Sequence, residues 1–343
     1  MTHVPLKAPA PPQGVIGSLV TGFETVNARL ELILPPLALD LFLWLGPHLS
    51  VQRLVPSVVQ TMESLLLPAG ADAVTRQNAQ TLIQLVEGFG AHFNVFSFLS
   101  TAPLGLPSLL AGRAPDLSPA GAPVFWQVTS LGQYLLAVGV FVLLGLLLGT
   151  LYFGGIAQQV RDKQVRWGQL FRQVWGDWAR LTALGALALV ICLVLGTPIL
   201  ILTGVVTFLS PVIGALVWVG GLTLLLWVLF YGGFALHAML LQRRGLFGAL
   251  WDSARLVQFS LPQAASLFVV IVIVNYGLSL VWNIPPDNSW LLLLGVAGHA
   301  LISTALIAAT FVFYQDRYRW WLEVRRGLAA RAQTGGRGLR PKS

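Results

Sequence analysis

"LTALGALALVICLVLGTPILILTGVVTFLSPVIGALVWVGGLTLLLWVLFYGGFALHAMLLQ", residues 181–242, contains no Asp, Glu, Lys or Arg in 62 consecutive positions. Crossing about 30 Å of hydrocarbon takes roughly 20 apolar residues in a helix. One helix of this length would run to about 93 Å, beyond any bilayer, so the stretch must fold back. "SPVIG" around Pro211 is the natural break. It leaves one span near 181–204 and another near 211–241.

The rest of the composition agrees. Charged residues make up 10% and hydrophobic residues 56% of 343 positions, with mean hydropathy +0.75. A soluble domain carries about 25% charged residues, which it needs to cover its surface. These values predict an integral membrane protein. Twelve Trp and 18 Phe suit the aromatic belts of two membrane interfaces. The single Cys192 excludes a disulfide framework or a cysteine metal cluster.

Three further spans read clearly, near 131–157, 266–282 and 290–314. Residues 32–49, "LILPPLALDLFLWLGPHL", form a weaker one, interrupted by Pro35, Pro36 and Asp40. The alternative there is a re-entrant segment. Residues 93–112 are uncharged but broken by Pro103 and Pro107, and read as interfacial or re-entrant. The layout is a tail and lead-in over 1–30, a first span over 31–50, and a partly helical extracytoplasmic segment over 51–130. A five-helix membrane domain over 131–315 and a basic cytoplasmic tail over 316–343 follow. In the third region "VQRLVPSVVQTMESLLL" and "AVTRQNAQTLIQLVEGF" read as amphipathic helices. The ends, "MTHVPLKAPAPPQG" and "GGRGLRPKS", read as flexible.

The +8 net charge is a topology signal. Sixteen of the 21 Lys and Arg fall at 161–180, at 243–255 or after the last span, including Arg172, Arg180, Arg243, Arg244, Arg255, Arg317 and Arg319. Six spans put all sixteen on the cytoplasmic side with both termini; five spans would put the N-terminus outside. Nucleic acid is therefore not the expected partner. Membrane lipids are, since each juxtamembrane cation is worth about 1 kcal/mol near an anionic leaflet.

Residues 152–180, "YFGGIAQQVRDKQVRWGQLFRQVWGDWAR", return at 230–255 as "FYGGFALHAMLLQRRGLFGALWDSAR". An aromatic pair and a double glycine open each copy, a basic connection follows, and a Leu-Phe…Trp stripe closes it. The period of about 76–78 residues implies a direct repeat with both copies in one orientation, unlike the inverted repeats of many transporters. Trp167, Phe171, Trp175 and Trp178 in the first copy, and Phe247 and Trp251 in the second, lie on helical stripes opposite arginines. Such helices lie in the interface plane. They would serve either as elbows that orient the next span or as a surface for lipid or a partner. The double glycines fit close helix packing, with a hinge as the alternative.

Polar residues at membrane depth are candidates for function. These are Asp40, His237, Asn275 and His299. Asp40 with His299 would make a proton relay; otherwise Asp40 satisfies backbone freed by Pro35 and Pro36, and His299 bonds a neighbouring helix. There is no G-x-S-x-G, H-E-x-x-H or Walker-type loop, no paired acids at catalytic spacing and no local histidine cluster. No cofactor or metal is expected.

"GLFGALWDSARLV" opening a span, and "FVFYQDRYR" closing the last with Tyr314, Asp316, Arg317 and Arg319, resemble bacterial multi-pass proteins related to the membrane domain of glycerophosphoryl diester phosphodiesterases. The resemblance covers about 131–325. It implies a helical domain of six or so spans in the bacterial cytoplasmic membrane with no established activity of its own. The expected fold is thus all-α, with about six transmembrane helices, a direct repeat and two cytoplasmic interfacial helices. The expected function is a non-enzymatic protein that organises or assists protein partners or lipids. The alternative is a transporter of a small solute or lipid working at the interface between repeats.

Overall fold

Pro211 does turn the chain. Its ring supplies no N–H and suits the first turn of a helix. Ser210 before it is extended, and its Oγ accepts from the Ile213 N–H at 3.5 Å. In this computed structural model, which describes residues 11–67 and 72–337 with side chains to residue 327, the uncharged stretch becomes an antiparallel hairpin. Its arms are α6 (Trp167–Leu209) and α7 (Pro211–Gly232), packed so closely that Gly221 leaves no room for a side chain beside Ile199.

The molecule is an all-α membrane protein. Among the described residues five helices are long and apolar enough to cross a bilayer: α5 (Leu131–Asp162), α6, α7 continued by α8 (Ala235–Gln242), α10 (Leu261–Trp282) and α11 (Leu292–Arg337). α3 (Val55–Leu66) and α4 (Ala73–His92) are helices that fall on the two segments read as amphipathic. Among the described residues the only sheet is a parallel pair, β1 (His48–Ser50) with β2 (Phe125–Gln127).

Element boundaries differ from expectation in four places. The interfacial segment and the span after it are one continuous 43-residue helix, α6, because nothing between Trp178 and Leu181 breaks helical backbone. Near 233 the opposite happens. The helix stops at Gly232 and resumes at Ala235, and α9 (Leu246–Phe259) seals the gap. Ser253 of α9 accepts from the Phe234 N–H at 3.0 Å and donates to the Tyr231 carbonyl at 2.7 Å. Third, α11 runs through the last span as far as Arg337, so positions 316–337 of the expected tail are helical, while 338–343, like 1–10, lie outside the described residues.

The fourth difference concerns residues 32–49. α2 (Leu34–Leu45) has only 12 residues and does not qualify as a span by itself. It follows α1 (Val15–Asn27) after a short 3-10 turn at Leu30–Ile33. The two helices lie end to end along α11. At one end the Gln13 N–H donates to Asp316 at 2.5 Å; at the other, Trp44 Nε1 donates to the Asp287 carbonyl at 2.7 Å. Between them Gly22 presses on Ala305 and Ala309, where an added Cβ would stand 2.7 Å from backbone. From Leu292 to Asp316 the helix rises about 36 Å, enough to cross the roughly 30 Å hydrocarbon core of a bilayer.

α11 is the axis of the core. Phe311, Phe313 and Tyr314 are wholly buried, in one apolar cluster with Phe234 and Ile156. Phe234 stacks on Phe313 at 5.6 Å, and Tyr152 donates to Thr304 at 2.9 Å. Offset and edge-on aromatic pairs of this kind add about 0.5–1.5 kcal/mol each to the burial they bring. By contrast α6, α7 and α10 leave most of their apolar side chains uncovered, as helices in lipid do.

Candidate functional site

Asp40 sits under a loop. Residues 93–112 begin with a short 3-10 helix (Val95–Leu99) and then run as irregular backbone into the side of α5. Gly145 and Gly149 of α5 make the seat: a Cβ at the first would strike Thr101 and the Leu99 carbonyl, at the second the Leu104 carbonyl. Irregular backbone at membrane depth survives only where protein satisfies its polar groups. Asp40, fully buried, does much of this. Its carboxylate accepts from the Ser108 hydroxyl, from the Leu109 N–H at 3.0 Å and from the Leu110 N–H at 3.2 Å. Ser100 donates to the Leu106 carbonyl at 2.6 Å, and the Gly112 N–H reaches Ser97 Oγ at 2.7 Å. Arg113 then bonds Asn283 at 2.8 Å and faces Asp287 at 3.4 Å, tying the loop to the α10–α11 turn.

Beside this clasp, His48 is buried with Nε2 3.2 Å from the Leu43 carbonyl. Burial lowers its pKa, against smaller opposing effects of that hydrogen bond and of Asp116.

The other polar candidates are apart. His237 packs on Phe311 at 4.3 Å, and its Nε2 pairs with Thr310 at 2.7 Å. His299 is buried, and its Nε2 has no partner among the described residues. No hydrogen bond among the described residues joins Asp40 to either histidine. Asn275 lies on the exposed face of α10. Sequence reading missed Glu24 and Arg29, which are exposed, and half-buried Glu31, where α1 meets α2; Arg29 and Glu31 stand 3.9 Å apart. Glu24 and Arg29 fall in the expected lead-in and Glu31 at the edge of the first expected span, because the signal of a crossing is apolarity and this stretch lacks it.

At the basic end, arginines knit the elements. Arg243 bonds Gln173 at 2.6 Å, Arg244 faces Asp252 at 3.1 Å and Tyr318 at 3.5 Å, and Arg180 pairs with Asp177 and reaches the Arg244 carbonyl at 3.4 Å. The bond to Tyr318, aided by Asp252, raises the pKa of Arg244. Arg172 and Arg319 are exposed. Arg317 corrects the expectation of a surface cation. It is 7% exposed, because α11 keeps its buried face past Phe313, and the guanidinium lies 3.4 Å from that ring's centre. The aromatic stripes are split as well. Leu170, Val174 and Leu181 are buried, whereas Trp167, Phe171, Trp175, Phe247 and Trp251 are exposed; Trp178 donates Nε1 to the Leu143 carbonyl at 3.0 Å. One edge of each helix thus holds the bundle while the other is free. A cavity of about 380 Å³ opens here, between the lead-in to α1, α9, the start of α10 and α11. No group of three or more His, Cys, Asp or Glu suited to a metal occurs among the described residues.

No protein-family model, curated protein or solved structure matches this chain.

Proposed function

We propose that this protein is a non-enzymatic component of a bacterial cytoplasmic membrane that organises protein partners or lipids, with six crossings and both termini in the cytoplasm. The sixth crossing is α1 and α2 in series, supported by their contacts to opposite ends of α11. The direct repeat is supported by two matching helix ends. α5 and α8 each finish on a basic residue in left-handed backbone, Lys163 (φ 56°) and Arg243 (φ 54°), after which a helix with an exposed aromatic edge begins. The resemblance to the phosphodiesterase-linked membrane domain belongs to the same reading.

One observation carries the scaffold over the transporter. Polar groups face outward: Glu24 and Arg29, beside half-buried Glu31, at the α1–α2 break and Asn275 on α10, while the space between α5, α8 and α11 is filled by aromatic side chains. A solute path needs the reverse. Charge facing lipid costs at least about 2.5–3.5 kcal/mol per residue by insertion scales, a penalty that a covering protein removes. A photo-crosslinking amino acid at Ala28, activated in cells, tests this. Adducts to another polypeptide or a second copy are expected. Lipid adducts alone, with solute uptake by proteoliposomes, would favour the transporter and overturn the scaffold.

A further inference from the structure

The cavity at the basic end holds an unsatisfied cation. Arg317 is buried to all but 7% of its surface and lines the cavity wall. Among the described residues no carboxylate lies within salt-bridge distance of it, and its Nη1 has no hydrogen-bond partner. The Phe313 ring faces this guanidinium, but without a carboxylate a buried cation remains costly for a fold to retain unless something anionic completes it.

Three further features point to the same ligand. Arg255, exposed at the rim, adds a second cation and lies 4.9 Å over the Trp251 ring. α10, 22 residues long, begins at the cavity with Ser260 and Gln263 on the wall, and Ser260 makes no side-chain cap. Uncapped N–H groups and the positive end of the helix dipole favour an anion there. Asp252 also lines the wall, but Arg244 faces it at 3.1 Å and offsets its charge. A second, apolar depression adjoins the first; Arg255, Phe259 and Trp321 form the shared wall, and Tyr231 and Trp251 continue it.

We propose that this cavity binds the phosphate of an anionic glycerophospholipid, with Arg317 as the buried contact, Arg255 at the entrance, and the acyl chains along the neighbouring depression. About 380 Å³ suits a glycerophosphate headgroup and falls within the usual range of ligand pockets, about 300–1,000 Å³. The site deepens the lipid half of the function proposed above and rests on it.

The test is retention of phosphatidylglycerol against phosphatidylcholine by full-length protein in mixed nanodiscs, read by native mass spectrometry after transfer to mild detergent. Phosphatidylglycerol is expected to be retained preferentially. Arg317→Gln should weaken retention about tenfold or more, as loss of a charge-assisted bond does, and Arg255→Gln by less. Arg172→Gln, equally cationic but remote, should change nothing; an equal loss there would mean diffuse surface attraction and overturn the site. Should Arg317→Gln fail to fold, a photoactivatable phosphatidylglycerol crosslinked to the wild-type protein gives the same decision. Adducts within 251–263 or 313–321 support the proposal, and adducts confined elsewhere refute it. Inorganic phosphate or glycerol 3-phosphate competing as well as the lipid would assign the cavity to a free phosphate and overturn the lipid. Loss of protein crosslinks at Ala28 with lipid retention intact would fault only the partner reading.

Discussion

Asp40 shows how one residue can be conspicuous in a sequence while its role stays illegible. An acid among Leu and Pro marks an exception, and the alternative to a proton relay, satisfaction of freed backbone, had the right chemistry and the wrong backbone. The N–H groups it serves belong to Leu109 and Leu110, about 70 positions away, a separation that periodicity cannot bridge. Asp40→Ala strands both, and is expected to cost about 2–4 kcal/mol, as buried unpaired donors do. Asp40→Asn, which keeps an acceptor oxygen, should cost less. Thermal midpoints in detergent check the order, and equal midpoints for Ala and wild type would dismiss the clasp. His48 gives a pH dependence. Its pKa in the fold lies below the ordinary value of 6.5, so the unfolded chain binds more protons as pH falls through that value, and stability falls with it. The midpoint should drop between pH 7 and 5 in wild type and less steeply in His48→Gln.

At the scale of elements, hydropathy located α5, α6, α7 and α10 because lipid selects apolar faces all round, and it located α3 and α4 by their amphipathic period. It could not locate breaks or fusions, which depend on neighbours. Ser253 decides the end of α7, and residues 95–106 decide where α5 needs glycine. That loop makes a signed prediction. Gly145→Ala and Gly149→Ala drive a methyl into loop backbone and should destabilise by about 1–3 kcal/mol, the usual range for overpacking. Gly139→Ala on the same helix meets nothing within 4 Å and should be neutral or stabilising by up to about 1 kcal/mol, since Ala is the better helix former. Three thermal melts suffice; a Gly139 variant as damaged as the others would mean that α5 is sensitive throughout and the loop has no special seat.

Across the whole molecule the question is how many times the chain crosses. The five long helices alone would leave residue 15 and residue 327 on opposite sides of the membrane, but α1 packs on α11 with Gln13 beside Asp316. The N-terminal path was the least legible part because it is shielded on one side: α1 covers the small residues Ala305 and Ala309, so it needs fewer apolar residues of its own, and Glu24, Arg29 and Glu31 depress any hydropathy window over it. Even and odd crossings differ in accessibility. With half-buried Cys192 replaced by Ser, single cysteines at Gln164, between α5 and α6, and at Gln84, on the exposed side of α4, can be probed in intact cells with a thiol reagent that does not cross membranes. Six crossings require labelling at 84 and none at 164, because one crossing, α5, separates them and the basic connector follows the cytoplasmic bias of Lys and Arg. A third cysteine at Thr21, on α1, separates the models that remain. If α1 and α2 cross in series, position 21 lies in the inner half of the bilayer and reacts only after permeabilisation, if at all. Labelling at 21 from outside, together with 84, would keep α1 on the outer surface and reduce the count to five.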